Sequence, residues 1–172
     1  MEERITGRAF RCGDDVNTDV IIPGRFLTIV DPDELGGHAF EGMGEEYPAR
    51  LRERQLVVAG RNFGCGSSRE QAATAIKHAG IRVVVAKSFS RLFYRNALNL
   101  GLPIVECPEA PDRIAEGDPV TVDFSQGTVE AGGQAYRFPP LPEFLVEMLR
   151  EGGLVPQLRR IVAERRAARA RG

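Results

Sequence analysis

Lysine is almost missing from this chain: Lys77 and Lys87 are the only two, and arginine supplies the remainder of its 23 basic residues. Against 24 acidic residues these leave a net charge of −1, which excludes a protein built around the electrostatics of nucleic acid. Cysteine is equally sparse. Cys12, Cys65 and Cys107 lie far apart with no Cys-x-x-Cys pair, so neither a disulfide framework nor a zinc-like set is expected, and the thiols read as reduced and intracellular. The two histidines are His38 and His78. The opening Met1-Glu2-Glu3-Arg4 has neither the apolar core of a secretory signal nor the acid-poor character of a transit peptide. No apolar run approaches the ~20 residues that span a bilayer. The expectation is a soluble, cytoplasmic chain with no membrane partner.

The 172 residues, 42% hydrophobic and 27% charged, suffice for one full core with a trailing arm. Residues 4–12 read as a first strand, followed by a polar turn and the short apolar run Val20-Ile21-Ile22 that ends at Pro23. Between Gly24 and Gly44 there are five glycines and no sustained period, which predicts a long loop with one helical turn around 32–40, mobile and functional in character. A helical turn is expected at 47–53. The centre alternates strand and helix: strands at 55–59, 81–86 and 102–106, helices at 68–79 and 90–100, with Gly80 and Gly101 at their C-terminal ends. This βαβαβ order predicts a parallel sheet with right-handed crossovers. Segments 119–124, 128–131 and 134–138, separated by Gln126-Gly127 and Gly132-Gly133, read as a small antiparallel meander. A helix at 142–150 and an Arg-rich helix or tail at 154–171 end the chain.

The most informative stretch is Gly60-Arg61-Asn62-Phe63-Gly64-Cys65-Gly66-Ser67-Ser68-Arg69-Glu70-Gln71. It joins a predicted strand to a predicted helix. A glycine turn into a helix N-terminus gathers free N–H groups and favours an anion. Ser67 and Glu70 also fit the capping box Ser-x-x-Glu, so capping alone is the default role for Ser67. A second serine and the fixed charge of Arg69, suited to holding a carboxylate by two bonds, favour a site over a cap.

Competing motifs fail on their spacing. Gly64-x-Gly66 begins like a dinucleotide fingerprint, but Arg69 stands at its third glycine, and Arg82 and Val83 stand where the ribose-binding acid belongs. The Gly-Lys-Ser/Thr of a phosphate loop is missing. Asp15-x-Asn17-x-Asp19 imitates a calcium loop, yet Val20 and Phe26 replace its glycine and glutamate. These residues are expected to bond backbone N–H groups, with Asp19 able to face the site. His78, at a helix C-terminus, receives no catalytic role, and Cys65 is read as a small residue lining the turn. Arg159, Arg160, Arg165, Arg166, Arg169 and Arg171 read as a solvated helix face.

Three blocks, Asp14 to Pro23, Gly60 to Ala72 and Ala86 to Phe93, in this order and spacing, resemble the small subunits of 3-isopropylmalate dehydratase, the separate-chain counterparts of the swivelling domain of aconitase. The likeness runs from about residue 6 to 155. It implies an α/β swivelling domain of β/β/α type over residues 1–155, with 156–172 as a basic C-terminal helix or tail. It further implies a large-subunit partner carrying a 4Fe–4S cluster, no cofactor or metal on this chain, and a small hydroxy di-acid substrate. A homo-oligomer of the isolated subunit is compatible with it. By resemblance, Ser67 is the base that takes a proton from carbon, Ser68 and Arg69 hold a substrate carboxylate, and Arg25, Thr28 and Ile29 bind substrate from the loop. Homocitrate-type substrates are expected to need an Arg after the Gly-Arg-Phe-Leu segment. Thr28-Ile29 carry no charge, and a third carboxylate beside them would lack a partner, so isopropylmalate is favoured. Homoaconitase and dimethylmalate dehydratase small subunits remain the alternatives, as does a stand-alone carboxylate-binding module.

Overall fold

The structure, a computed structural model, describes residues 2–170. Its strands are Arg4–Arg11 (β1), Leu56–Ala59 (β2), Val83–Ala86 (β3), Ile104–Glu106 (β4), Pro119–Asp123 (β5), Thr128–Ala131 (β6) and Gln134–Arg137 (β7). They form one seven-stranded sheet in the order β4-β3-β2-β1-β5-β6-β7. The three strands of the expected βαβαβ centre, β2, β3 and β4, do pair in parallel, and the meander is antiparallel, as its Gly-marked turns predict. What joins the two portions is β1. Its first residues pair antiparallel with β5, from Arg4↔Asp123 to Arg8↔Pro119, and its last pair parallel with β2, from Ala9↔Leu56 to Arg11↔Val58.

β2 and β3 are buried on both faces, as strands inside a covered parallel sheet are. Alternate residues therefore enter different cores. Val57, Ala59, Val84 and Ala86 join the helix-covered core with Phe10, Phe40, Phe63, Ile76 and Phe93. Leu56, Val58, Val83 and Val85 join a second core with Val120, Val122, Val129 and Phe138 of the meander. The result is a layered β/β/α architecture.

The helices are Thr18–Ile21 (α1), Pro32–Gly36 (α2), Tyr47–Leu51 (α3), Glu70–His78 (α4), Arg91–Asn99 (α5), Glu143–Arg150 (α6) and Leu154–Ala170 (α7). Among the described residues no helix is long and apolar enough to cross a membrane. Arg171 lies outside the described residues.

Two segments differ from expectation. The first is α1, a single turn capped by Asn17, whose side-chain oxygen accepts from Val20 N at 3.0 Å. The second is 24–44, where the helical turn expected around 32–40 is present but is not the segment's only order. It holds α2, capped by Asp31 with Pro32 in its first turn, and 3₁₀ turns at Gly24–Phe26 and Glu41–Met43. Leu35, Ala39 and Phe40 are buried in the helix-side core. Gly36 lies so close to the end of α4 that a Cβ there would come within 2.5 Å of the His78 carbonyl carbon. His78 Nδ1 meets Asp33 Oδ1 at 2.7 Å, which ties α4 to α2.

Cys12, at the end of β1, is buried in the helix-side core. Burial, and next the charge of Glu116, push its thiol from the ordinary 9.0 up to about 12, against the opposing charge of Arg11. Between those values the unfolded thiol has lost its proton and the folded one has kept it, so this group's contribution to stability falls as pH rises, by about 1.4 kcal/mol per pH unit. Urea midpoints measured from pH 8 to 11 should decline less steeply in Cys12→Ala than in the natural chain, after a uniform loss of about 1 kcal/mol for the small cavity. Equal slopes would mean that the Cys12 thiol ionises alike in both states.

Candidate active site

The turn after β2 is stitched from both sides by backbone and side-chain bonds. From the loop after β1, the Asp14 carboxylate accepts from Arg61 N at 2.7 Å, and Asp15 N donates to Arg61 O at 2.8 Å. Asn62 Nδ2 donates to Asp15 Oδ1 at 2.8 Å, Gly64 N to Val16 O at 2.8 Å, and Thr18 N to Cys65 O at 2.9 Å. From the loop after β3, Ser88 Oγ accepts from Asn62 N at 2.9 Å, and Phe63 and residues 88–90 exchange backbone bonds. Ser90 Oγ donates to Gly64 O at 2.6 Å while capping α5 through Phe93 N. The Arg61 N–H foremost, against a small cost of burial and with help from the Arg61 charge, holds the Asp14 carboxyl below its ordinary range.

Gly64 itself allows no side chain. Its φ is +75°, and a Cβ would stand 2.2 Å from Cγ of Phe93. The three blocks that carry the family resemblance thus converge on this single turn, and two of them are its supports.

The chain then delivers Ser67, Ser68 and Arg69. The capping-box expectation is overturned here. Helix α4 begins at Glu70 with Arg69 at its N-cap position and no side-chain cap. Thr18 Oγ1 donates to Ser67 O at 3.1 Å, and Arg69 N donates to the same oxygen at 2.8 Å. These bonds turn the backbone at 67–69 out of helical geometry before α4 starts. Neither the Ser67 nor the Ser68 hydroxyl bonds another group among the described residues, and the N–H groups of Gly66, Ser67 and Ser68 donate to none. Both serines are exposed. Two free hydroxyls and three free N–H groups at one corner are what an oxyanion or carboxylate requires.

Arg69 is mostly buried, with 22% of its side chain exposed, and Nη1 pairs with Oδ1 of Asp19 on α1. Asp19 therefore does face the site, as the partner of its cation. Of the remaining members of the false calcium motif, Asn17 accepts from a backbone N–H in the first turn of α1, as expected, whereas Asp15 accepts from the side-chain amide of Asn62, 47 residues away. Cys65 lines the turn, half-buried, with Sγ 3.4 Å from Asp15 O.

Arg25, Thr28 and Ile29 stand in a neighbouring cluster. Arg25 pairs with Glu41, Thr28 is exposed, and Ile29 is half-buried against the helix-side core. No hydrogen bond or ion pair among the described residues joins these three to Ser67, Ser68 or Arg69. The connection runs through α1: a Cβ on Gly42 would lie 2.5 Å from Val20 O and 2.6 Å from Asp19 O. Sequence reasoning missed Thr18, Ser88 and Ser90 as supports of the turn, although all three stand inside the resembling blocks. It also missed Glu41 and His38, for which no local pattern gives a signal.

Among the described residues there is no donor set that fits an iron–sulfur cluster. Cys12 and Cys107 are buried, Cys65 lines the turn, and no three metal-ligating side chains gather among the described residues.

Residues 13–110, more than half of the chain, match the model of the aconitase C-terminal domain. The chain is 49% identical to 3-isopropylmalate dehydratase small subunit 1 of Methanopyrus kandleri, over 93% of this chain and 95% of that protein. It is 46% identical to the methanogen homoaconitase small subunit of Methanothermobacter thermautotrophicus, over 90% and 91%. A crystal structure of 3-isopropylmalate dehydratase from Methanocaldococcus jannaschii superposes with a TM-score of 0.86 at 42% identity, covering 95% of this chain and 99% of that one. With a shared fold and close kinship along nearly its whole length, the chain belongs to the aconitase C-terminal domain family, among the small subunits of 3-isopropylmalate dehydratases and homoaconitase.

Proposed function

We propose that this chain is the small subunit of a cytoplasmic, heteromeric hydro-lyase that interconverts 2-isopropylmalate and 3-isopropylmalate by loss and return of water, a step of leucine biosynthesis. The observation that carries the reading is the corner at 66–69: a serine hydroxyl with no structural task, beside free N–H groups and an arginine. Ser67 takes the proton from the carbon next to a substrate carboxylate. Ser68 and Arg69 hold that carboxylate, the guanidinium by two parallel bonds. Ser67 takes this proton as an alkoxide and becomes the hydroxyl; the free N–H groups and the Arg69 charge stabilise the alkoxide beforehand and the charge left on the substrate afterwards.

The same corner is half a site. Ser67 and Ser68 are exposed, and in open water a serine oxygen is a weak base whose charge is screened. A large subunit, expected to carry the 4Fe–4S cluster, covers the corner, excludes water and completes the site. Isopropylmalate is the favoured substrate because Thr28 and Ile29 offer an apolar and neutral surface to its branched end. Homoaconitase is the second reading, supported by the relative of that name.

The purified chain alone should show no dehydration of isopropylmalate, followed by absorbance of the unsaturated product, and should gain activity on anaerobic reconstitution with its large subunit. In that complex Ser67→Ala should lose nearly all turnover. Its stability should change by no more than about 0.5 kcal/mol, because the hydroxyl caps nothing. Arg69→Lys should chiefly raise KM, since an ammonium cannot reproduce the guanidinium fork. Activity retained in Ser67→Ala would remove Ser67 from the chemistry.

Thr28→Arg should shift the ratio of kcat/KM toward homoaconitate-type acids and away from isopropylmalate, by supplying a partner for the extra carboxylate. An unchanged ratio would assign specificity to the large subunit.

A further inference from the structure

Arg25 does not stand free. Its Nη2 donates to Oε1 of Glu41 at 2.7 Å, and the other oxygen of the same carboxylate, Oε2, lies 2.6 Å from Nδ1 of His38. Phe26 closes the ring of contacts. The Arg25 guanidinium carbon sits 4.5 Å from its centroid, and the His38 imidazole stacks on it at 3.9 Å with planes 16° apart. Each of the four side chains touches two of the others.

The exposures are graded in a telling way: 16% for the Glu41 side chain, 32% for His38 and 60% for Arg25. The anchor is sunk in the protein, and the group it anchors is in solvent. Only one of the five guanidinium N–H donors is used by Glu41, so four remain for a ligand. Burial pushes the Glu41 carboxyl up, but the bonds from His38 and Arg25 outweigh it and leave the group below its ordinary range, hence ionised at neutral pH. The anchor itself rests on the site's framework, because Gly42 abuts the backbone of α1, which bears Asp19.

We infer that Glu41 and His38 are positioning residues for Arg25. Glu41 fixes the guanidinium, with its remaining donors unused, where a substrate carboxylate meets it, and His38 fixes Glu41. The inference deepens the proposed function and rests on its reading of Arg25 as a substrate-binding residue. A donor that is already ordered loses less freedom when it binds, so the clasp acts on substrate affinity and not on the proton transfer at Ser67.

Two measurements test this. In the reconstituted complex, Glu41→Gln should raise KM about tenfold while kcat stays within about twofold. In an Arg25→Ala background the same substitution should add less than about twofold, because its effect passes through Arg25. An equal factor in both backgrounds would make Glu41 a structural residue only and overturn the proposal.

The second measurement needs no activity. Trypsin must take the Arg25 side chain into its own specificity pocket, in competition with Glu41. In the intact isolated chain, the initial rate of cleavage between Arg25 and Phe26, followed by mass spectrometry, should rise several-fold in Glu41→Gln. His38→Gln keeps the Glu41 charge and serves if Glu41→Gln fails to fold; it should give a smaller rise. Cleavage unchanged in the folded variants would overturn the clasp. A wild-type complex without turnover strikes the proposed function and leaves the clasp to be judged by the cleavage rate.

Discussion

The contact between Gly64 and the ring of Phe93 is the constraint on which the site depends. With φ at +75° and room for nothing larger than a hydrogen, the backbone passes directly over a side chain of α5 and is held there by the Ser90 hydroxyl on Gly64 O. That approach fixes where the chain leaves the sheet and therefore where Ser67 emerges. A Cβ would displace the ring or the turn, and either movement shifts the serine relative to Arg69. The proton transfer proposed for Ser67 tolerates errors of only a fraction of an ångström, so the precision such a corner needs is set by the packing beneath it.

Arg69 illustrates how a residue proposed to bind substrate can be ordered and still available. In the free chain it is paired with Asp19, whose side chain is 58% exposed. Ion pairs with such access to water contribute about 0–1 kcal/mol. A substrate carboxylate that offers two oxygens to the guanidinium, with added bonds from Ser68 and free N–H groups, can therefore join or displace Asp19 at small cost. Asp19 keeps the cation oriented without competing strongly for it. Its own position follows from Asn17, which caps α1 and sets the first turn on which Asp19 stands.

Much of this was legible in the residues because it is local. The apolar runs at 56–59 and 83–86 are too short for helices and too uniformly apolar for a half-exposed sheet, and both are fully buried parallel strands. Gly101, at φ +75°, ends α5 where expected. The failures are non-local. Ser-x-x-Glu predicts a cap at Ser67, but a bond from Thr18, 49 residues away, takes the carbonyl of Ser67 and delays the helix. Segment 24–44 shows no period because its order comes from single anchors, Leu35 and Phe40, set into a core built by other elements. The double pairing of β1 is invisible for the same reason: its eight residues do not say that one end meets β5 and the other β2.

Helix α1 gives these separate facts a common ground. One turn long, it presents Asp19 to Arg69 on one side and receives the backbone of Gly42 on the other. Next to Gly42 stands Glu41, the anchor of Arg25. The two arginines assigned to substrate are thus held by carboxylates that share one support, although no bond joins the arginines themselves. Thr18 extends the same support to the proposed base, since its hydroxyl holds the carbonyl of Ser67. A single turn of helix, with Ile21 fully buried beneath it, therefore references the serine and both cations to one rigid point. Packed cores resist continuous deformation, so the large subunit proposed to close on this face meets three groups whose spacing is already set, and the freedom lost on closure falls on the substrate instead of on the protein.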